Sequence, residues 1–134
     1  MRSPMSPNPS RDTSDLFPHP DSSDRAFFQS VLPKDPLVKV RSMFGNDAAF
    51  VNGNMFMGLF GKDLFLRLSD QDQRELLREK GASKFVPVEG RAMSGYVVVP
   101  SAWRDHPEKV RAWAARSLAW ASGLPVKATR KPER

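Results

Sequence analysis

Asn52-Gly53 lies between two apolar runs, Ala48 to Val51 and Met55 to Phe60. A two-residue type I′ turn needs positive φ at both central positions, which Asn and Gly tolerate best, so this stretch predicts a β-hairpin. Gly61-Lys62-Asp63 supplies a second reversal before Leu64 to Leu68. Three antiparallel strands joined by short loops follow, and the rest of the chain must pack around them. Side-chain alternation sends Met55, Met57 and Leu59 to one face and Phe56 and Phe60 to the other. Both faces are therefore apolar, while one layer of helices covers only one of them. Either loops and helix ends cover the second face, or a second copy of the chain does so as a homodimer through the sheet.

The flanking segments supply the helices. Asp21-Ser22-Ser23 offers N-cap residues, and Phe27, Phe28, Val31 and Leu32 recur at helical spacing until Pro33. Leu37 to Met43 then alternates as a first strand, with Val38 and Val40 on one face and Lys39 and Arg41 on the other. Ser69 to Asp72 opens a second helix that buries Leu76 and Leu77, and Gly81 closes it. Phe85 to Val88 and Tyr96 to Val99 read as two short strands, the first at an edge because Pro87 cannot donate to a ladder. A last helix runs from Asp105 to about Ser122, stopped by Gly123 and Pro125. Its apolar arc holds Val110, Trp113, Ala114, Ser117, Leu118, Trp120, Ala121 and Leu124, which assigns both tryptophans to the core.

The chain of 134 residues, 40% hydrophobic, suits one compact domain. Residues 1–20 are rich in Pro and Ser and read as a disordered tail, 21–126 as the domain, and 127–134 as a basic tail. No apolar run approaches the ~18 residues of a membrane span. The N-terminus lacks a signal-peptide core and there is no Cys, which together point to a cytoplasmic protein. Formal charge is +6, and Arg2 and Arg11 against Asp12, Asp15, Asp21 and Asp24 leave the positive excess on the folded part. Solvation of the surface accounts for most such excesses, with polyanion binding the less favoured reading.

Candidate contacts for an anion or a partner are Lys39 and Arg41, Arg91 between Gly90 and Gly95, and Lys127, Arg130 and Lys131 in the basic tail. A glycine-flanked arginine suits bidentate grip of a carboxylate or phosphate, yet anchoring its own loop is the favoured role for Arg91. Reaction chemistry is not visible. His19 and His106 lie far apart with no metal-ligand spacing, no nucleophile elbow is present, and the glycines read as turns and close strand packing rather than as a phosphate loop. Neither a cofactor nor a metal is expected. An enzyme with a site assembled from distant residues remains a third reading, behind a protein-interaction domain and a nucleic-acid-binding module.

Several stretches occur in the order seen in one known family: Met43-Phe44-Gly45, Phe50 to Phe56 with Asn52-Gly53, Leu64 to Arg67, Gly90-Arg91-Ala92-Met93, Tyr96 to Pro100 and the Trp-containing last helix. Over roughly residues 25 to 126 the chain resembles the TfoX N-terminal domain family. The resemblance implies a two-layer α+β domain, an antiparallel sheet of about five strands packed against helices, of the secretion-chaperone-like kind. The residues themselves read as helix, four strands, helix, two strands, helix, one strand more. The family's best-known members resemble two-part bacterial regulators of competence genes that act with another transcription factor and without catalysis. Their second, helical part has no counterpart in the short stretch after the last helix here. What the resemblance implies for this chain is the domain, a broad regulatory or interaction role and an unidentified protein partner such as a transcription factor. It brings no catalytic residues.

Overall fold

The computed structural model describes residues 18–43, 45–88 and 90–126. The elements run α1 (Ser22–Val31), β1 (Val38–Met43), β2 (Asn46–Val51), β3 (Asn54–Phe60), β4 (Asp63–Arg67), α2 (Asp70–Leu77), β5 (Ser83–Lys84), β6 (Tyr96–Val98), a 3-10 helix (Ser101–Asp105) and α3 (Pro107–Ser122). All strands pair antiparallel in one six-stranded sheet, ordered β1-β2-β3-β4-β6-β5. The fold is α+β, and its sixth strand is one more than the family resemblance implies. No helix is long and apolar enough to cross a membrane among the described residues.

The hairpin turn is where the sequence places it. Asn52 has φ 51° and Gly53 φ 82°, between Val51 and Asn54, which face each other across the ladder. Asp21 caps α1 through a capping box, its carboxylate accepting from the Asp24 N–H at 2.9 Å while Asp24 accepts from the Asp21 N–H. That backbone hydrogen bond, followed by the Ser23 hydroxyl, holds the Asp21 carboxyl below its ordinary value. Ser69 caps α2, its hydroxyl oxygen accepting from the Asp72 N–H at 3.2 Å.

One face of the sheet carries the main core. Phe28 and Val31 of α1, Leu76 of α2, Trp103 of the 3-10 helix and Val110, Trp113, Ala114 and Ala121 of α3 pack on Ala49, Val51, Met57, Leu59, Leu64, Leu66, Val97 and Val99. Phe56 belongs to this core, against the expectation that it faces Phe60's side. Ala49 pairs with Met57 and Phe50 with Met55, so Phe56 is an extra residue in β3. This β-bulge turns Phe56 and Met57 to the same side and leaves Met55 on the other. The ladder from β3 to β4 begins only at Met57–Leu66, so the carbonyls of Phe56 and Arg67 lack the next rung. The hydroxyl of Ser117, fully buried on α3, stands 2.6 Å from the Phe56 carbonyl and 2.7 Å from that of Arg67 and donates to one at a time.

Three further expectations need correction. Phe85 to Val88 is not a strand: the ladder with β6 is carried by Ser83 and Lys84, and the chain then leaves the sheet ahead of Pro87, whose nitrogen has no hydrogen to donate. Trp120 is 42% exposed. At about 100° per residue it lies about 80° from the Val110 direction, about 20° beyond Trp113, which marks the edge of the buried arc. Finally, the body extends upstream of Asp21. Pro20 is buried, His19 lies against Gly45 and Pro18 against Gly61, and the Pro18 carbonyl accepts from Asn46 Nδ2 at 3.0 Å. The rest of the expected tail, residues 1–17, lies outside the described residues.

A salt bridge between Arg104 and Asp24 at 2.7 Å joins the 3-10 helix to α1, and the Arg104 guanidinium also lies over Phe27 and donates to the Lys62 carbonyl. Two outcomes test this architecture. Gly53→Val should cost about 1–3 kcal/mol, because a β-branched residue is strained at positive φ, and a lowered denaturant midpoint measures it. Ser117→Ala should cost about 1–3 kcal/mol by stranding a buried carbonyl, read in the same denaturation experiment.

Candidate functional site

The second face of the sheet is covered over part of its area. Phe65 of β4 and Tyr96 of β6 project from it, and Phe85 folds back over them from the loop between β5 and β6. The Phe65 and Phe85 rings stack with centroids 4.1 Å apart, while Phe60 meets Phe85 edge-on at 5.4 Å. Gly58 makes room for this stack, since a Cβ there would come within 2.5 Å of the Phe65 ring. The loop is pinned by backbone bonds: Phe85 N–H to the Tyr96 carbonyl at 3.2 Å, Met93 N–H to Phe85 at 2.8 Å and Arg91 N–H to Val88 at 2.8 Å. Loop 85–95 thus covers the β4–β6 side of the face and stops short of β2.

Between the loop and β2 lies an apolar cleft of about 220 Å³. Ala48, Met55, Phe60 and Phe65 form its floor, Leu59 of the helix-side core borders it, and Phe85, Pro87, Val88 and Met93 form its loop wall. Asn46 and Asp47 close one end. Asn46 has a structural task, for its Oδ1 accepts from the Gly61 N–H at 2.8 Å while its Nδ2 donates to Pro18. Asp47 is the single titratable residue of the lining among the described residues. Among the described residues no group of three or more His, Asp or Glu is placed to hold a metal ion.

Lys39 and Arg41 project from β1 on this same face, opposite Phe50 and Ala48. The Arg41 guanidinium lies 4.3 Å from the centre of the Phe50 ring. Neither cation takes part in an ion pair among the described residues. Arg91 is exposed at the turn after Gly90, which has φ 81°. Its backbone is anchored to Val88, and its guanidinium forms no hydrogen bond or ion pair among the described residues. Lys127, Arg130 and Lys131 lie outside the described residues. Of the motif residues, Gly45 and Asn52-Gly53 form turns, Met93 lines the cleft and Trp113 is core, its ring lying under Arg116 at 4.3 Å.

The cleft itself was not legible as a site. Its sequence signal was the surplus of apolar residues on both faces of β3, which announces a second buried surface without saying where it opens.

Tyr96 closes the aromatic cluster and donates its hydroxyl to the Met55 carbonyl at 3.0 Å. Burial pushes the phenol up from its ordinary value of 10.0, outweighing the opposite pull of Arg67 nearby. The folded state therefore favours the neutral phenol, and its contribution is present below pH 10.0 and lost as pH rises beyond it. As this is the chain's one tyrosine, phenolate absorbance reports it alone. Its titration should run above that of free tyrosine in the folded protein and return to the ordinary value in denaturant.

These features define a two-layer α+β domain with an apolar cleft on the open face of its sheet. The sequence signature of the TfoX N-terminal domain matches residues 31–121, and the chain belongs to that family. No curated protein matches the sequence as a relative.

Proposed function

We propose that the chain is a non-catalytic regulatory domain that binds a partner protein through the open face of its sheet. The observation that carries this reading is the cleft: it is lined almost wholly by Met, Phe, Val, Leu, Ala and Pro side chains and offers a ligand burial rather than chemistry. Its neighbours on the same face, Lys39 and Arg41, are cations without a carboxylate among the described residues. The fitting occupant is a protein segment that inserts aliphatic or aromatic side chains and carries carboxylates beside them. Family membership supports a link to transcription, with a transcription factor as the partner class and bacterial cytoplasm as the setting.

Direct nucleic-acid binding is the second reading, and the pairing of Arg41 and Lys39 with an aromatic residue favours it. Against it, Phe50 is only 9% exposed and its ring face is taken by Arg41, which leaves no platform for a base.

The test places a charge at the cleft rim. Val88 is 49% exposed, so Val88→Asp should change stability by no more than about 0.5 kcal/mol. Capture from the native cell should lose a partner that wild type and Val126→Asp, altered at an exposed position away from the cleft, both retain. Equal recovery by all three proteins would sink the reading. Salt-sensitive binding of arbitrary DNA by all three would establish the second one.

A further inference from the structure

The two edges of the sheet are built differently. At one edge β5 is two residues long, and the chain departs from the sheet just ahead of Pro87, which leaves no length for another strand. At the other, β1 is six residues long, contains no proline and pairs with β2 in unbroken register from Val38–Val51 to Met43–Asn46. Among the described residues β1 has no strand on its outer side. In an antiparallel ladder alternate residues of such an edge direct their N–H and C=O groups outward, where a further strand takes them up.

The side chains specify the strand that fits. Val40, 40% exposed, projects on the helix side, and Leu37, 60% exposed, precedes the strand. Lys39 and Arg41 project on the open face and with Val40, Phe50 and the Asn52-Gly53 turn bound a shallow groove. A second copy of β1, paired so that both helix layers stay on one side, would crowd the Lys39 and Arg41 of both chains onto one face. Like charges opposite one another oppose that pairing. The same cations favour a strand with carboxylates opposite them and β-branched residues opposite the valines. A nucleic-acid backbone would meet the cations but would leave Val40 and the outward backbone groups unmatched.

From this we infer that β1 is a strand-addition site for an extended partner segment that alternates aliphatic and acidic residues, adding a seventh strand to the sheet. The inference rests on the reading of the chain as a protein-interaction domain, and it names the partner's recognition element.

The experiment uses the whole chain and a short end-blocked peptide alternating valine and glutamate, followed by amide hydrogen exchange. Outward-facing amides of β1 should gain protection, while those of β5 should not. The double variant Lys39→Glu with Arg41→Glu, both exposed positions that leave the core untouched, should bind this peptide about tenfold more weakly. It should bind a valine–lysine peptide better than wild type does. Unprotected β1 amides at saturating peptide, or equal affinity for both peptides, would overturn the inference whether or not Val88→Asp still loses its partner, so the two readings fail separately. It would be overturned equally by protection of β1 that appears without peptide as protein concentration rises, which is self-pairing. Protection by duplex DNA and by neither peptide would also overturn it.

Discussion

Where β3 takes on an extra residue, at Phe56, the sheet loses one rung of its ladder, and the hydroxyl of Ser117 stands in for it. Two carbonyls buried at that point would otherwise face apolar side chains, at a cost comparable to the whole contribution of a good hydrogen bond. Because the hydroxyl comes from the middle of α3, the same contact fixes how deep and at what rotation the helix sits. Trp113 and Ala121, one turn before and one turn after Ser117, are thereby set into the core. The bulge also decides which residues each face receives, giving Phe56 and Met57 to the helix side and Met55 to the open side. The cleft floor exists because of that reversal of sides.

The two layers are then tied at their ends by polar contacts that cross long stretches of sequence. Asn46 holds Pro18 to the turn at Gly61, Asn54 Nδ2 donates to the Pro125 carbonyl at 3.0 Å, and Arg104 reaches Asp24. One member of each contact, Asn46, Asn54 or Asp24, is buried, so loss of its partner removes a hydrogen bond that water does not readily replace. On the exposed side of α3, Arg116 instead spans Asp72 at 3.5 Å and Glu75 at 3.2 Å, and solvent screening leaves such pairs little to contribute.

The parts of this structure that were legible in the sequence are those set by local chemistry. Asn52-Gly53, the Asp21 and Ser69 caps and the helical spacing of Val110, Trp113 and Ala114 each need only a few neighbouring residues to express themselves. The bulge at Phe56 has no local signature, because it answers to α3, some sixty residues away in the chain. Trp120 was misplaced for a related reason: a helical wheel gives the width of an apolar arc but not how much of it the partner layer covers. Phe85 to Val88 has strand composition, but it folds onto the sheet face rather than joining the edge, burying Phe85 and leaving Val86 and Val88 about half exposed. Pro18 to Pro20 looked like tail because what they pack against, Gly45 and Gly61, comes from two turns that only the folded sheet brings together.

An apolar sheet face that is half covered by its own loop leaves a choice between chemistry and recognition, and the side chains around the cleft are the ground on which the recognition proposal rests. Catalysis would require groups that exchange protons or hold charge at a reacting centre, and among the described residues Asp47 is the one titratable group of the lining, while Asn46 is occupied at the Pro18 contact and Tyr96 on the Met55 carbonyl. Lys39, Arg41 and Arg91, which form no ion pair among the described residues, stand on the open edge and at the loop tip rather than in the cleft lining. Such a division, with burial at the centre and charge at the margin, is how protein-binding surfaces obtain affinity from the first and orientation from the second. One face of the sheet thus carries the main core and the other an apolar cleft, and the extra residue in β3 places Phe56 and Met57 on the first and Met55 on the second.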